Sequence, residues 1–139
     1  MRDESLRYLF VYGTLMSRSG GAAIGGAERR ALHAASRSLG EASVAGRLYD
    51  LGSYPALVSA TDAGERCWGE VLTLDDPAAI LALLDPYEGI DPARPEAGDY
   101  RRVVCPVRLR DGLEVAAWVY LYQGDVSGSP VIASGRWGI

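Results

Sequence analysis

Residues 67–89 read Cys67-Trp68-Gly69-Glu70-Val71-Leu72-Thr73-Leu74-Asp75-Asp76-Pro77-Ala78-Ala79-Ile80-Leu81-Ala82-Leu83-Leu84-Asp85-Pro86-Tyr87-Glu88-Gly89, and two periods meet inside them. Cys67 to Leu74 is short and apolar and reads as a strand. At Asp76 the pattern changes. Asp76 supplies a helix cap, and Pro77 suits the first helical position, where an N–H has no partner anyway. Ile80, Leu83, Leu84 and Tyr87 then fall at i, i+3, i+4 and i+7, one helical face. Pro86 is expected to stop the helix, because proline disfavours α geometry at the residue before it, here Asp85.

Upstream, Tyr8 to Tyr12 is aromatic and β-branched and reads as a buried central strand ended by Gly13. Ser17 to Gly26 is a Gly/Ser loop, and Glu28 to Ser36 a short helix. Ala42 to Leu51 reads as one strand region and Ala56 to Val58 as a brief strand after the turn at 52–55. Downstream, Ile90 to Asp99 is a charged, proline-containing loop. Arg102 to Leu109 and Val115 to Tyr122 are two strands around the hairpin signal Arg110-Asp111-Gly112. These elements make about six strands and two helices without βαβ alternation. The reading is a single α+β domain over 1–139, with a core of about 6–123 and a tail at 124–139. Its sheet is mixed, curved or barrel-like, with short helices outside.

Composition narrows the chemistry. The chain has 139 residues, 48% hydrophobic and 23% charged, with a formal charge of -4. That suits one soluble globular domain and argues against nucleic acid as a main partner, since phosphate binding needs a basic surface. All 14 basic residues are arginine, so a Schiff-base lysine and a Gly-Lys-Ser/Thr phosphate loop are both excluded. No apolar run reaches the roughly 20 residues that span a bilayer, and the N-terminus does not read as a signal peptide. A cytoplasmic location and no membrane partner are the expectation. Cys67 and Cys105 form no Cys-x-x-Cys pair and read as inert core thiols. Trp68 and Trp118 also read as core. The single histidine, His33, lies mid-helix among alanines and arginines, where a surface or packing role is expected. No spacing suggests a metal site.

Carboxylates remain, and Glu88 stands out. A helix C-terminus carries partial negative charge, so a carboxylate just beyond it is disfavoured as an anion. Burial would add to this and bring its pKa toward neutrality, where a carboxyl both takes and returns a proton. The same segment alone also fits a solvated glutamate in a post-helix turn. Tyr12-Gly13-Thr14-Leu15 offers backbone N–H groups that can converge on a carboxylate or an oxyanion. It equally fits a glycine that simply ends a strand. Tyr54, Tyr100 and Tyr122 are candidates for hydroxyls in a cleft, and Arg101-Arg102 reads as solvated charge for at least one of the two.

Read together, Val11-Tyr12-Gly13-Thr14-Leu15-Met16, Gly46-Arg47-Leu48-Tyr49-Asp50, Tyr54-Pro55-Ala56-Leu57-Val58, Trp68-Gly69-Glu70-Val71, Leu84-Asp85-Pro86-Tyr87-Glu88-Gly89, Tyr100-Arg101-Arg102, Ala117-Trp118-Val119-Tyr120 and Ile132-Ala133-Ser134-Gly135-Arg136-Trp137 resemble the gamma-glutamylcyclotransferase-like family, in the branch with bacterial proteins and gamma-glutamylamine cyclotransferase. No single motif is specific; their order and spacing carry the likeness. The resemblance implies a small mixed barrel with a cleft at one end. It implies that the loop Tyr12, Gly13, Thr14 and Leu15 binds a gamma-glutamyl group, that Glu88 is the acid/base, and that Tyr100 lies near the cleft. The 90–99 loop, longer and more charged than in compact members, would reshape the leaving-group side.

The implied reaction needs neither cofactor nor metal. The substrate's α-amine attacks its own γ-amide carbonyl, releasing an amine and 5-oxoproline. The expected partner is thus a small gamma-glutamyl compound, acted on by a monomer or homodimer. Two rival readings are a non-catalytic module that binds small acids, and an interaction protein using the 17–26 loop and the tail.

Overall fold

Strand alternation sends the side chains of this chain into two separate cores. The computed structural model describes residues 6–13, 26–52, 54–59, 64–90 and 93–137. In order, β1 is Tyr8–Val11, α1 Gly26–Ala34, β2 Ser36–Ala45, β3 Arg47–Asp50, β4 Pro55–Val58, β5 Arg66–Leu74, α2 Pro77–Tyr87, β6 Tyr100–Leu109 and β7 Glu114–Tyr122, with a 3₁₀ turn at Pro95–Ala97. Five strands close a barrel in the order β1-β5-β2-β6-β7, while β3 and β4 pair as a separate ribbon. The barrel is mixed: β1 runs parallel to β7, and the other neighbouring strands are antiparallel.

Phe10, Val44, Cys67, Val71, Val107, Ala117 and Val119 come from all five barrel strands and form one cluster with Leu48 and Leu57 of the ribbon. No helix contributes to it, so it fills the barrel. Their neighbours one step along the strands face the other way. Leu9, Val11, Leu72, Leu74, Trp118 and Tyr120 pack with Leu32 of α1 and Ile80, Leu81 and Leu84 of α2. Period-2 alternation thus gives a barrel interior of mostly small or branched residues and an outer face covered by two helices.

Several expected boundaries shift. The region 42–51 is two strands, not one, and the first helix ends at Ala34 rather than Ser36. There the Ser36 hydroxyl donates to the Leu32 carbonyl at 2.7 Å, and β2 starts at once. α2 runs through Pro86 to Tyr87. The ring removes one N–H in the last turn only, and the N–H groups of Glu88, Gly89 and Ile90 still close that turn. The buried face of α2 is Ile80, Leu81 and Leu84, while Leu83 is exposed. The helix is apolar on nearly every side, so packing against the barrel, not periodicity, chose the face.

The tail docks on both the β3 ribbon and the barrel. Asp50 N–H donates to the Pro130 carbonyl at 2.9 Å, Ile132 N–H to Leu48 at 2.8 Å, and Trp68 N–H to Gly135 at 2.8 Å. Arg136 pairs with Glu41 and lies over the Trp68 ring at 4.7 Å. Trp68 and Cys105 are half-buried rather than core, whereas Cys67 and Trp118 are buried.

Candidate active site

The end of α2 is built to hold one side chain. Gly89 has φ +81°, a backbone that favours glycine because it has no Cβ. Its N–H donates to Pro86 at 3.0 Å, and the next N–H, of Ile90, reaches back to Asp85 at 2.9 Å. These two bonds are a Schellman closure, in which the carbonyls left over at a helix end find donors. Glu88 is the cap residue inside it. Gly98 presses on this turn: a Cβ there would overlap the Gly89 carbonyl.

Asp85, one turn earlier on α2, is anchored to the barrel. Arg102 of β6 donates from Nε at 2.9 Å and from Nη2 at 3.0 Å, a bidentate pair. The Tyr120 hydroxyl of β7 donates to the same carboxylate at 2.7 Å. The Arg102 guanidinium also lies over the Trp118 ring at 4.4 Å from its centre.

Glu88 is half-buried. Burial first, and then the Asp85 charge, push its pKa up from 4.5 to about 7. Its own charge reaches three phenols. Tyr12, Tyr100 and Tyr120 all have raised pKa values, mainly from burial, with Glu88 adding to each. Each of these hydroxyls is held. Tyr12 donates to the Tyr120 carbonyl at 2.6 Å, Tyr100 to the Pro55 carbonyl at 2.6 Å, and Tyr120 to Asp85. A carboxyl poised near neutrality, facing fixed phenols, is suited to taking a proton and giving it back.

The exit of β1 meets the same place. A Cβ on Gly13 would lie 3.0 Å from Cγ of Pro55, the residue whose carbonyl Tyr100 grips. Tyr54 is exposed, with its ring 6.3 Å from that of Tyr100, and Tyr122 stands edge-on to Tyr100 at 5.3 Å. Tyr12, Gly13, Tyr54, Tyr100 and Glu88 therefore come together, from β1, β4's entry, β6 and the end of α2. Thr14 and Leu15 lie outside the described residues. Of the arginine pair, Arg101 is exposed and Arg102 is bound to Asp85.

Sequence reasoning assigns no role to two residues that the fold brings beside Glu88, Asp85 and Tyr120. A signal for one link exists. The hairpin at 110–112 sets a register in which Tyr100 faces Tyr122 and Arg102 faces Tyr120. Among the described residues no three His, Cys, Asp or Glu side chains gather as a metal-binding group, and no helix is long and apolar enough to cross a membrane.

Comparison with known proteins bears on the family and the fold. Residues 9–138 match the family described as gamma-glutamyl cyclotransferase, AIG2-like. The chain is 33% identical over 132 residues to the gamma-glutamylcyclotransferase family protein ytfP of Citrobacter rodentium, covering 93% of each. The solution structure of ytfP from Escherichia coli superposes with a TM-score of 0.59 at 31% identity, over 94% of this chain and 96% of that one. The crystal structure of YkqA from Bacillus subtilis superposes with a TM-score of 0.64 at 22% identity, a likeness of fold. It covers 94% of this chain, which spans 39% of YkqA.

Proposed function

The chain belongs to the gamma-glutamyl cyclotransferase, AIG2-like family, and from that premise we propose that it cleaves a small gamma-glutamyl amide, with Glu88 as acid and base. The α-ammonium of the substrate gives a proton to the Glu88 carboxylate. The freed amine attacks the γ-carbonyl carbon, forming the ring C–N bond and an oxyanion. Collapse of that intermediate breaks the bond to the departing nitrogen, which receives its proton from Glu88. Glu88 then carries the second proton from the ring nitrogen to the released amine in the same way, so overall the attacking nitrogen loses two protons and the amine gains both, 5-oxoproline and an ammonium leave, and Glu88 is restored.

Glu88 carries this reading. A carboxyl held near pH 7 is ionised often enough to accept a proton and acidic enough to return it. The nucleophile arrives with the substrate, so the protein needs no serine or cysteine attack. Its remaining task is to fold the glutamyl chain into a reactive bend, which in well-oriented systems contributes several kcal/mol. The Tyr12–Leu15 segment is suited to hold the α-carboxylate or the oxyanion, and Tyr54 and Tyr100 to line the leaving-group side. The test is to incubate the protein with a panel of gamma-glutamyl amino acids and amines and to measure 5-oxoproline. Release that disappears in Glu88→Gln is the expected outcome. Tight binding by calorimetry with no amine released would replace this reading with a binding role.

A further inference from the structure

Glu88 has a turn of helix behind it, and that turn is tied to the barrel by a network of hydrogen bonds and one ion pair. Asp85 is central to the network. Its carbonyl accepts the N–H of Ile90 and of Glu88, at 2.9 and 3.2 Å. Its carboxylate accepts Arg102 twice and Tyr120 once. Tyr120 reaches further. Its hydroxyl holds α2 through Asp85, while its carbonyl accepts the Tyr12 hydroxyl at the end of β1. One residue of β7 thus references both halves of the site, the Glu88 turn and the β1 exit.

We infer that Asp85, Arg102 and Tyr120 are a positioning unit that fixes Glu88 opposite the end of β1 and sets the charge it experiences. The inference rests on the cyclotransferase reading only for its purpose; the tie to Glu88 is the Asp85 carbonyl, which accepts the Glu88 N–H, and the Asp85 carboxylate, which Arg102 and Tyr120 hold to the barrel. The charged and titratable groups facing Glu88 are Asp85 from α2, Tyr12 just past β1, Tyr100 from β6 and Tyr120 from β7, with Arg102 of β6 behind Asp85. Asp85 opposes ionisation of Glu88, and Arg102 and the Tyr120 hydroxyl offset Asp85. Removing the two partners of the ion pair must then move Glu88 in opposite directions.

The experiment is a carboxyl-carbon NMR titration of the whole protein, with the Glu88 signal assigned by its loss in Glu88→Gln. Asp85→Asn is expected to lower the Glu88 midpoint, and Arg102→Gln to raise it, each by roughly one pH unit. Tyr120→Phe keeps the ring and removes one hydrogen bond, so it is expected to raise the midpoint even where Arg102→Gln does not fold. The acid limb of the turnover profile should shift in the same senses. Midpoints that stay put, or that move in one direction for all variants, overturn the inference. A wild-type protein that releases no 5-oxoproline overturns the proposed reaction instead, and the midpoints of the variants still decide whether the three residues act on Glu88.

Discussion

Replacing Glu88 by glutamine should destroy turnover and stabilise the protein at the same time. The amide has nearly the same shape as the carboxyl, so the fold is kept, while the proton relay is lost; general acid–base catalysis is worth about 10²–10⁴ in rate. The stability effect comes from the raised pKa, 4.5 to about 7. An acid raised in this way keeps its proton longer in the folded chain than in the unfolded one. Below pH 4.5 both states are protonated and nothing is lost. Between 4.5 and 7 the unfolded chain ionises first, and folding loses about 1.4 kcal/mol per pH unit. Above about 7 the loss is level, at roughly 2–3 kcal/mol once solvent screening of this half-buried group is allowed for. Urea unfolding of both proteins from pH 4 to 8.5 reads this directly. Glu88→Gln and wild type should match at pH 4 and diverge to a plateau above pH 7, with the variant more stable. A difference that does not change with pH would refute the buried, poised carboxyl, whatever the activity showed.

Three other outcomes follow from the packing. Leu84→Ala should cost about 2–5 kcal/mol in urea unfolding, because the side chain is fully buried, whereas Leu83→Ala should cost less than about 0.5 kcal/mol. Equal costs would mean that α2 presents another face. Gly98→Ala would drive a methyl into the Gly89 carbonyl, so it should cost at least about 1 kcal/mol and lower turnover through the Glu88 turn; a neutral variant would show that this turn is slack. A soluble thiol reagent should modify Cys105 in the native protein and Cys67 only after unfolding, since Cys67 is buried and burial pushes its thiol pKa up strongly. Mass spectrometry of the labelled peptides decides this.

Much of the architecture is legible in the sequence because its signals are local. Asp76-Pro77 marks the start of α2, and the Asp76 carboxylate indeed accepts the Ala79 N–H at 3.3 Å. The turn at 110–112 closes β6 on β7 as its residues require. The helix end misleads for a physical reason. A proline weighs against α geometry before it, but the pull of Asp85 toward Arg102 and Tyr120 and the Schellman closure at Gly89 hold that turn regardless. The sequence names only part of the buried face of α2: Ile80 and Leu84 are buried and Tyr87 packs on the same cluster, but Leu81 completes it in place of Leu83, because residues 78–84 are all apolar and leave nothing to tell the two apart.

From its residues alone this chain declared a mixed α+β fold with a barrel-like sheet, a strand that ends in glycine and a glutamate after a helix. Those are matters of backbone preference and spacing, which a sequence carries in short windows. Only the tertiary structure decided that Asp85, Arg102 and Tyr120 meet, and that Glu88 is thereby lodged where its proton is held to about pH 7. Desolvation and ion pairing depend on what distant segments bring alongside, and barrel closure supplies those neighbours.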